Sequence, residues 1–434
     1  MDKNKIISAA EYALRALLDA GADMAAVGGS AGRFAEFNID GGEFSLLRTI
    51  FNEGISVTAY IGGRKGSAST NALDRASVDS AVADAVAAAR SAMPDDAWAI
   101  APEAPPREFR SGCADCDMDG FFDAVLALKS DIARDYPRIL LEQLVAAHRF
   151  VQSVFLNSNG VRYVSESGCY DVDLMFSAHE GDRSSSFFSS GARFTDLSAP
   201  LIELGSIRAD LDSVSRQLDT VTFDGKFTGT LLLTPASLEE MIGMALDNFT
   251  EDTVIIEGTS PWKDKLGAQV ADGRLTVSLR PLDSEIVCGE RVTDDGFISE
   301  NFNIIENGVL KQFPLSLYAA NKTGFDRAPN TSGALVIPAG DTPLDELIAG
   351  IDRGLLLGRF SGGQPGTNGD FSGVAKNSFF IENGRITDAV SEIMVNGNLA
   401  DMLMHLRGIS AERVADGGTV LPYAAFDGIT VSGK

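Results

Sequence analysis

Ile304-Ile305-Glu306-Asn307-Gly308-Val309 and Phe380-Ile381-Glu382-Asn383-Gly384-Arg385 are two versions of one pattern, an apolar run followed by a carboxylate and an Asn-Gly pair. Asn-Gly between extended segments predicts a tight hairpin, because both residues tolerate positive φ. Around these hairpins, from about Phe223 onward, strands and turns dominate, with short helices expected at Ser237–Asn248, Leu344–Arg353 and Leu399–Leu406. Two hairpins fall short of the at least about three units that a repeat array needs. Residues 221–434 therefore read as one β-rich carboxy-terminal domain.

Working back toward the amino terminus, the pattern changes. Ile6, Ile7, Ala10, Leu14, Leu17 and Leu18 follow helical spacing, and Gly21 supplies a stop. Phe34–Ser69 is strand-rich, with Phe44–Phe51 and Ile55–Ile61 separated by the turn-prone Asn52-Glu53-Gly54. A second helix is predicted over Ser77–Ala92 from its small apolar face, and Pro94 ends it. Residues 1–105 thus form an α+β domain with a mixed or antiparallel sheet and flanking helices, closed by the proline-rich linker Ala101–Pro106. Residues 106–220 read as a middle α+β region packing with it, with a helix near Gly120–Asp135, strands at Phe150–Leu156 and Val161–Ser165 around Asn159-Gly160, and a helix at Ala199–Leu218. The expected fold class is α+β.

The chain has 434 residues, 44% of them hydrophobic and 22% charged, a soluble globular composition long enough for two or three packed domains. Its formal charge of −25 repels phosphate backbones and anionic membrane surfaces, which argues against nucleic acid as a partner. No stretch approaches the ~20 apolar residues of a membrane helix, and Met1–Ala10 does not read as a signal peptide. With four cysteines, of which only Cys113 and Cys116 are close together, a reducing, cytoplasmic location is expected.

Several motifs invite chemistry and then fail a spacing test. Asp115-Cys116-Asp117-Met118-Asp119-Gly120 starts like a calcium loop, but Leu126 stands where the bidentate glutamate belongs, so an acidic turn before a helix is expected. Cys113 and Cys116 have redox or half-zinc spacing without further ligands and read as ordinary thiols. His179-Glu180 opens like a zinc-helix motif, yet Arg183 occupies the second histidine's place. Gly62-Gly63-Arg64-Lys65-Gly66-Ser67 resembles a phosphate loop with lysine and glycine in the wrong order, which leaves a hairpin edge. The three histidines, His148, His179 and His405, include no pair one helical turn apart, the arrangement that zinc hydrolases use. No catalytic residue and no metal ligand is assigned. The glycine-rich Ser361–Gly369 permits close approach of another backbone, and Ser361, Gly362, Gly363 and Asn368 are the candidate peptide-binding residues.

In order along the chain, Gly54-Ile55-Ser56-Val57, Arg64–Thr70, Ser260–Gly267, Asn301–Gly324, Phe379–Arg385 and Ser391–Leu399 resemble blocks of the TldD/PmbA family. These are cytosolic proteins once described as modulators of DNA gyrase, whose TldD-type members are zinc peptidases. The resemblance implies His-Glu-x-x-x-His on the helix after the first strand of the carboxy-terminal domain of TldD-type chains, with a cysteine near the chain end. The corresponding stretch here, Leu231–Asn248, contains Glu239 and Glu240 but no histidine, and Arg413–Pro422 has no cysteine. This departure resembles the PmbA (TldE) branch. It implies a subunit without a cofactor of its own, paired with a TldD-type chain that carries zinc and acting on short or unfolded peptides. A homodimeric, non-catalytic peptide-binding protein and an independent hydrolase with another site are the alternatives. A dimer is expected in either of the first two readings, since a β-rich domain must cover its strand edges.

Overall fold

The computed structural model describes residues 3–433. Helix α1 (Lys3–Asp19) forms where the spacing predicts and buries Ile6, Ala9, Ala10, Ala13 and Leu17 along one stripe, whereas Ile7 and Leu14 are half-buried at its margin and Leu18 faces solvent. Two long strands follow, β1 (Met24–Asp40) and β2 (Glu43–Ile61). Gly41 and Gly42 join them with φ of +57° and +82°, a reversal that glycine makes without strain. The turn expected at Asn52-Glu53-Gly54 does not form, because these residues pair with Gly32, Ala31 and Ser30 inside the β1–β2 ladder. Local polarity suggested a break, but the ladder register runs straight through it.

Strand β3 (Arg64–Thr70) returns after Gly62-Gly63 and pairs with Ile55–Ile61, so the phosphate-loop look-alike is a hairpin edge. Helix α2 (Arg75–Ser91) is capped by Asp74, which accepts the Ser77 N–H at 3.1 Å, and it turns Val78, Ala81, Val82, Ala85, Val86 and Ala89 inward. This small face lets the helix lie close against β3. A Cβ on Gly66 would sit 2.1 Å from the Ala89 nitrogen and 2.2 Å from the Ala85 oxygen.

Strand β4 (Arg107–Gly112), helix α3 (Met118–Asp135), β5 (Ile139–Asn157), β6 (Arg162–Glu180), β7 (Arg183–Ser184) and β8 (Phe188–Phe194) come next. All these strands join β1–β3 in one eight-stranded sheet of order β3-β2-β1-β5-β6-β4, with β7 and β8 also on β6. Residues 1–105 and 106–220 thus share a sheet through the β1–β5 ladder, which runs from Ala26↔Asn157 to Asp40↔Gln143. Its two ends have separate cores: α1 and α2 cover Val27, Ile55, Val57 and Val154, whereas α3 covers Phe37, Ile39, Leu144 and Val172. The sheet is mixed, since β4 runs parallel to β6.

The helix expected at Ala199–Leu218 is broken into a 3-10 turn, Leu201–Glu203, and α4 (Ile207–Ser215). Gly205 between them has φ +55°, outside the right-handed helical range. In α4 the Asp210 carboxyl accepts hydrogen bonds from the Ser190 and Ser206 hydroxyls, both at 2.6 Å, and burial pushes its pKa up to about 6. The folded protein therefore holds this proton more tightly than the unfolded chain. The resulting stabilisation is complete below the unfolded pKa and is lost as pH rises through about 6, amounting to at most about 3 kcal/mol. Melting temperature should fall from about pH 4 to about pH 7 with a slope that Asp210→Asn reduces. Identical slopes in the two proteins would contradict this origin.

The carboxy-terminal half builds a second sheet, of 14 strands. Strand Lys226–Leu233 runs parallel to Arg353–Leu357 on one side and antiparallel to Val420–Ser432 on the other. Leu231, Leu232 and Leu233 are all buried, since helix α5 (Pro235–Thr250) belongs to the cluster with Leu231 and Leu233, and Leu347 and Ile348 cover Leu232. The shorter helices expected further on lie at Leu344–Ala349 and Leu399–Met404. Both Asn-Gly hairpins form, with φ of +49° and +78° at Asn307-Gly308 and +49° and +75° at Asn383-Gly384. The architecture is α+β, with a β-rich carboxy-terminal half. Among the described residues no helix is long and apolar enough to cross a membrane.

Candidate functional site

Helix α5 follows the first strand of the carboxy-terminal domain. Thr234 caps it, accepting the Ser237 N–H at 3.3 Å, and Pro235 opens the first turn. Leu238, Met241, Ile242, Ala245 and Phe249 face the core, which leaves Glu239 and Glu240 on the outer side. Both side chains reach solvent, yet protein crowded around their carboxyls raises their proton affinity, and Asp416 adds repulsion at Glu239. Glu240 Oε2 accepts the backbone N–H of Phe360 at 3.3 Å.

This helix does not fit a zinc ion: it offers no imidazole, and one of its two adjacent carboxylates is engaged with backbone. The chain's imidazoles are occupied elsewhere. His148 is fully buried with Nε2 3.1 Å from the Cys113 oxygen, His179 Nε2 lies 2.8 Å from Ser177 Oγ at the end of β6, and His405 Nδ1 is 2.6 Å from the Asp401 oxygen. Among the described residues no three His, Cys, Asp or Glu side chains converge on a position that could hold a metal ion.

Beside Glu240 runs the hairpin formed by Arg359–Gly362 and Asp370–Lys376; of the candidate peptide-binding residues, Ser361 and Gly362 lie in its first strand and Gly363 and Asn368 in the connecting loop. They play different parts. Ser361 and Gly363 are exposed, and a Cβ on Gly363 would meet nothing within 4 Å. Gly362 is paired with Gly373, and a Cβ there would lie 2.5 Å from the Phe360 ring. Asn368 is tied down, with Nδ2 donating to Asp370 Oδ2 at 2.8 Å and its carbonyl accepting from Asn398 Nδ2 at 2.9 Å. Because strand N–H groups alternate in direction, the Gly362 N–H points the same way as that of Phe360, away from Asp370–Lys376. The hairpin thus presents one backbone edge beside α5.

A larger feature escaped the sequence reading. A cleft of about 840 Å³ opens between the face of β1, β2, β3, β5 and β6 and the carboxy-terminal loops around 292–295 and 316–318. Hydroxyls of Ser30, Ser56, Thr58, Ser69, Ser153 and Ser165 line its sheet side. Trp98 stacks on Tyr318 with ring centroids 4.0 Å apart, and Lys65 Nζ lies 4.5 Å from the Trp98 centroid, its pKa lowered by burial. The two halves are tied here by Tyr318 to Asp95 at 3.0 Å, Lys322 to Asp95 at 2.8 Å, and Asn321 Nδ2 to the Ala97 oxygen at 2.9 Å. The available signal was Trp98 itself, one of only two tryptophans, placed just before the proline-rich linker.

The remaining motifs resolve into structure. Asp117 is the N-cap of α3, accepting the Gly120 N–H at 3.0 Å, in place of a calcium ligand. Cys113 and Cys116 face different partners: Cys113 Sγ lies 3.8 Å from His148 Nε2, and Cys116 Sγ 3.1 Å from Met118 Sδ.

Two domain models of one family match this chain, the PmbA/TldA metallopeptidase C-terminal domain over residues 226–433 and the PmbA/TldA metallopeptidase domain 1 over residues 25–89. The chain belongs to the TldD/PmbA family. A metalloprotease PmbA homologue of Haemophilus influenzae is 26% identical over 442 aligned positions, covering 93% of each chain. Metalloprotease PmbA of Escherichia coli is 30% identical over 142 positions, 32% of this chain and 31% of that one. Among solved structures, TldE from Thermococcus kodakarensis superposes with a TM-score of 0.82 at 19% identity, over 98% of this chain and 100% of the other. A candidate modulator of DNA gyrase from Bacteroides thetaiotaomicron gives 0.85 at 23% identity, over 100% of both. Both likenesses show this fold over at least 98% of the chain. The family blocks also gain places: Arg64–Thr70 is β3, and Ser391–Leu399 contains the strand Ile393–Asn398, whose Asn398 caps the next helix through the Ala400 and Asp401 N–H groups.

Proposed function

We propose that this chain is a PmbA/TldE-like subunit of a cytoplasmic TldD/PmbA-type metallopeptidase acting on short or unfolded peptides, with zinc supplied by a TldD-type partner chain. Helix α5 carries the reading: at the place where the family resemblance puts the peptidase motif, it has Glu239 and Glu240 without an imidazole. The subunit's contribution is then binding and positioning. A peptide added along Arg359–Gly362 would receive the Gly362 N–H, with Ser361 and Gly363 leaving its path open.

The first half of β2 supports a partner chain. Strand β3 covers only Ile55–Ile61, so Glu43–Gly54 has β1 on one side and leaves its outer edge open among the described residues. Leu47 and Phe51 on this stretch are each 66% exposed. An apolar strand edge of this kind is a pairing site unless something covers it.

The purified chain alone is expected to bind no stoichiometric zinc and to cleave neither casein nor unfolded peptides. Metal analysis after exhaustive dialysis checks this. One zinc per chain, lost on substituting His148, His179 or His405, would overturn the proposal.

A further inference from the structure

Around Cys169 the outer edge of β6 passes from one strand to another. Strand β4 pairs with it up to Gly168, and β8 takes over at Tyr170. Cys169 sits at the changeover, 7% exposed, with Sγ 4.0 Å from Asp171 Oδ2. Into this gap the carboxy-terminal half inserts Cys288, whose Sγ lies 3.2 Å from the oxygen of Gly168, the residue before Cys169, so that the two thiols influence each other's ionisation. The insertion is tight, since a Cβ on Gly112 would come within 2.6 Å of Cys288 Sγ. Cys288 holds φ of +52°, which a residue with a side chain seldom adopts, and the Val287 N–H donates to the Gly417 oxygen at 2.8 Å. Together these features direct the Cys288 side chain toward β6 at Gly168-Cys169.

We propose that Cys288 and Cys169 form a peroxide-oxidisable dithiol pair at the seam between the two halves. Cys288 is the attacking thiol, being partly exposed where Cys169 is buried. The neighbouring Cys169, and after it Ser111 and the Arg193 guanidinium, hold the Cys288 pKa below the ordinary thiol value against the opposing effect of burial, and so favour its thiolate. The thiolate sulfur attacks one oxygen of a hydroperoxide, the O–O bond breaks, and the departing hydroxide or alkoxide takes a proton, leaving a sulfenic acid on Cys288. The Cys169 sulfur then attacks the sulfenic sulfur, the S–O bond breaks, and hydroxide leaves with the Cys169 proton as water. Two thiols lose two electrons in total and the peroxide gains them. The product staples the Cys288 loop of the carboxy-terminal half to β6, fixing the relative position of the two walls of the cleft.

Full-length protein treated with hydrogen peroxide near pH 7, alkylated and digested without reduction tests this. A Cys169–Cys288 cross-linked peptide is expected from wild type and from a Cys113→Ser, Cys116→Ser double variant alike. Cys169→Ser should accumulate a sulfenic acid at Cys288 that dimedone traps, and Cys288→Ser should slow peroxide consumption by roughly tenfold. Wild-type mapping decides the matter even if a variant folds poorly. Full alkylation of both Cys169 and Cys288 after peroxide, or a cross-link confined to Cys113 and Cys116, would overturn the proposal.

Discussion

Mixing this chain with a TldD-type chain from the same organism is expected to raise zinc-dependent cleavage of unfolded peptides at least about tenfold over the partner alone, roughly 1.4 kcal/mol in transition-state terms. The gain would come from a bound peptide held in line, since α5 offers no metal site. The four candidate peptide-binding residues are not equivalent as probes. Gly363→Val is expected to leave the fold intact, because the position is exposed and nothing lies within 4 Å of an added Cβ, and should reduce the gain roughly three- to tenfold by obstructing an incoming main chain. Gly362→Val would strike the Phe360 ring and the Ser372 oxygen, at 2.5 and 2.9 Å, so its effect would report on folding as well. Leu47→Asp with Phe51→Asp should weaken the pairing and lose the gain while the isolated chain stays folded, both positions being exposed. No activation by any TldD-type chain would favour a stand-alone peptide-binding protein, and undiminished activation in the Gly363 variant would remove the loop from the peptide's path.

Gly66→Ala is expected to cost at least about 3 kcal/mol, an unusual loss for the smallest possible side-chain addition. Its Cβ would meet the backbone nitrogen of Ala89 at 2.1 Å and the backbone oxygen of Ala85 at 2.2 Å, so α2 as a whole must lift from β3. The same substitution at Gly243, in the interior of α5 with nothing within 4 Å, should instead stabilise the protein by about 0.5–1 kcal/mol through helix propensity. Denaturant midpoints of the two variants provide the comparison. A Gly66→Ala protein as stable as wild type would refute the close approach of helix and strand. Glycine is needed at this position in the phosphate-loop look-alike for packing.

Each element that was legible in the chain has its cause within a few residues. The stripes of α1 and α2, the caps at Asp74 and Thr234, and the hairpins at Asn307-Gly308 and Asn383-Gly384 depend on spacing and turn chemistry that neighbours supply. The absence of an imidazole pair is likewise a property of the string of residues and needs no coordinates. By contrast, Asn52-Glu53-Gly54 has the composition of a turn, and only pairing with Ser30–Gly32 makes it strand. Ser361–Gly369 was visible as a glycine-rich loop, but which of its residues are free depends on Phe360, Asp370 and Asn398. The cleft brings Lys65 and Trp98 to Tyr318, and the seam brings Cys169 to Cys288, across sequence separations that no local pattern spans. The sequence by itself determined the helices α1, α2, α3 and α5, the two Asn-Gly hairpin tips of the carboxy-terminal half and the lack of a zinc-binding pair, because short-range sterics and residue identity suffice for them. Only the tertiary structure decided the shared eight-stranded sheet, the cleft and the cysteine pair, because each arises where distant segments meet through ladder hydrogen bonds and buried surface.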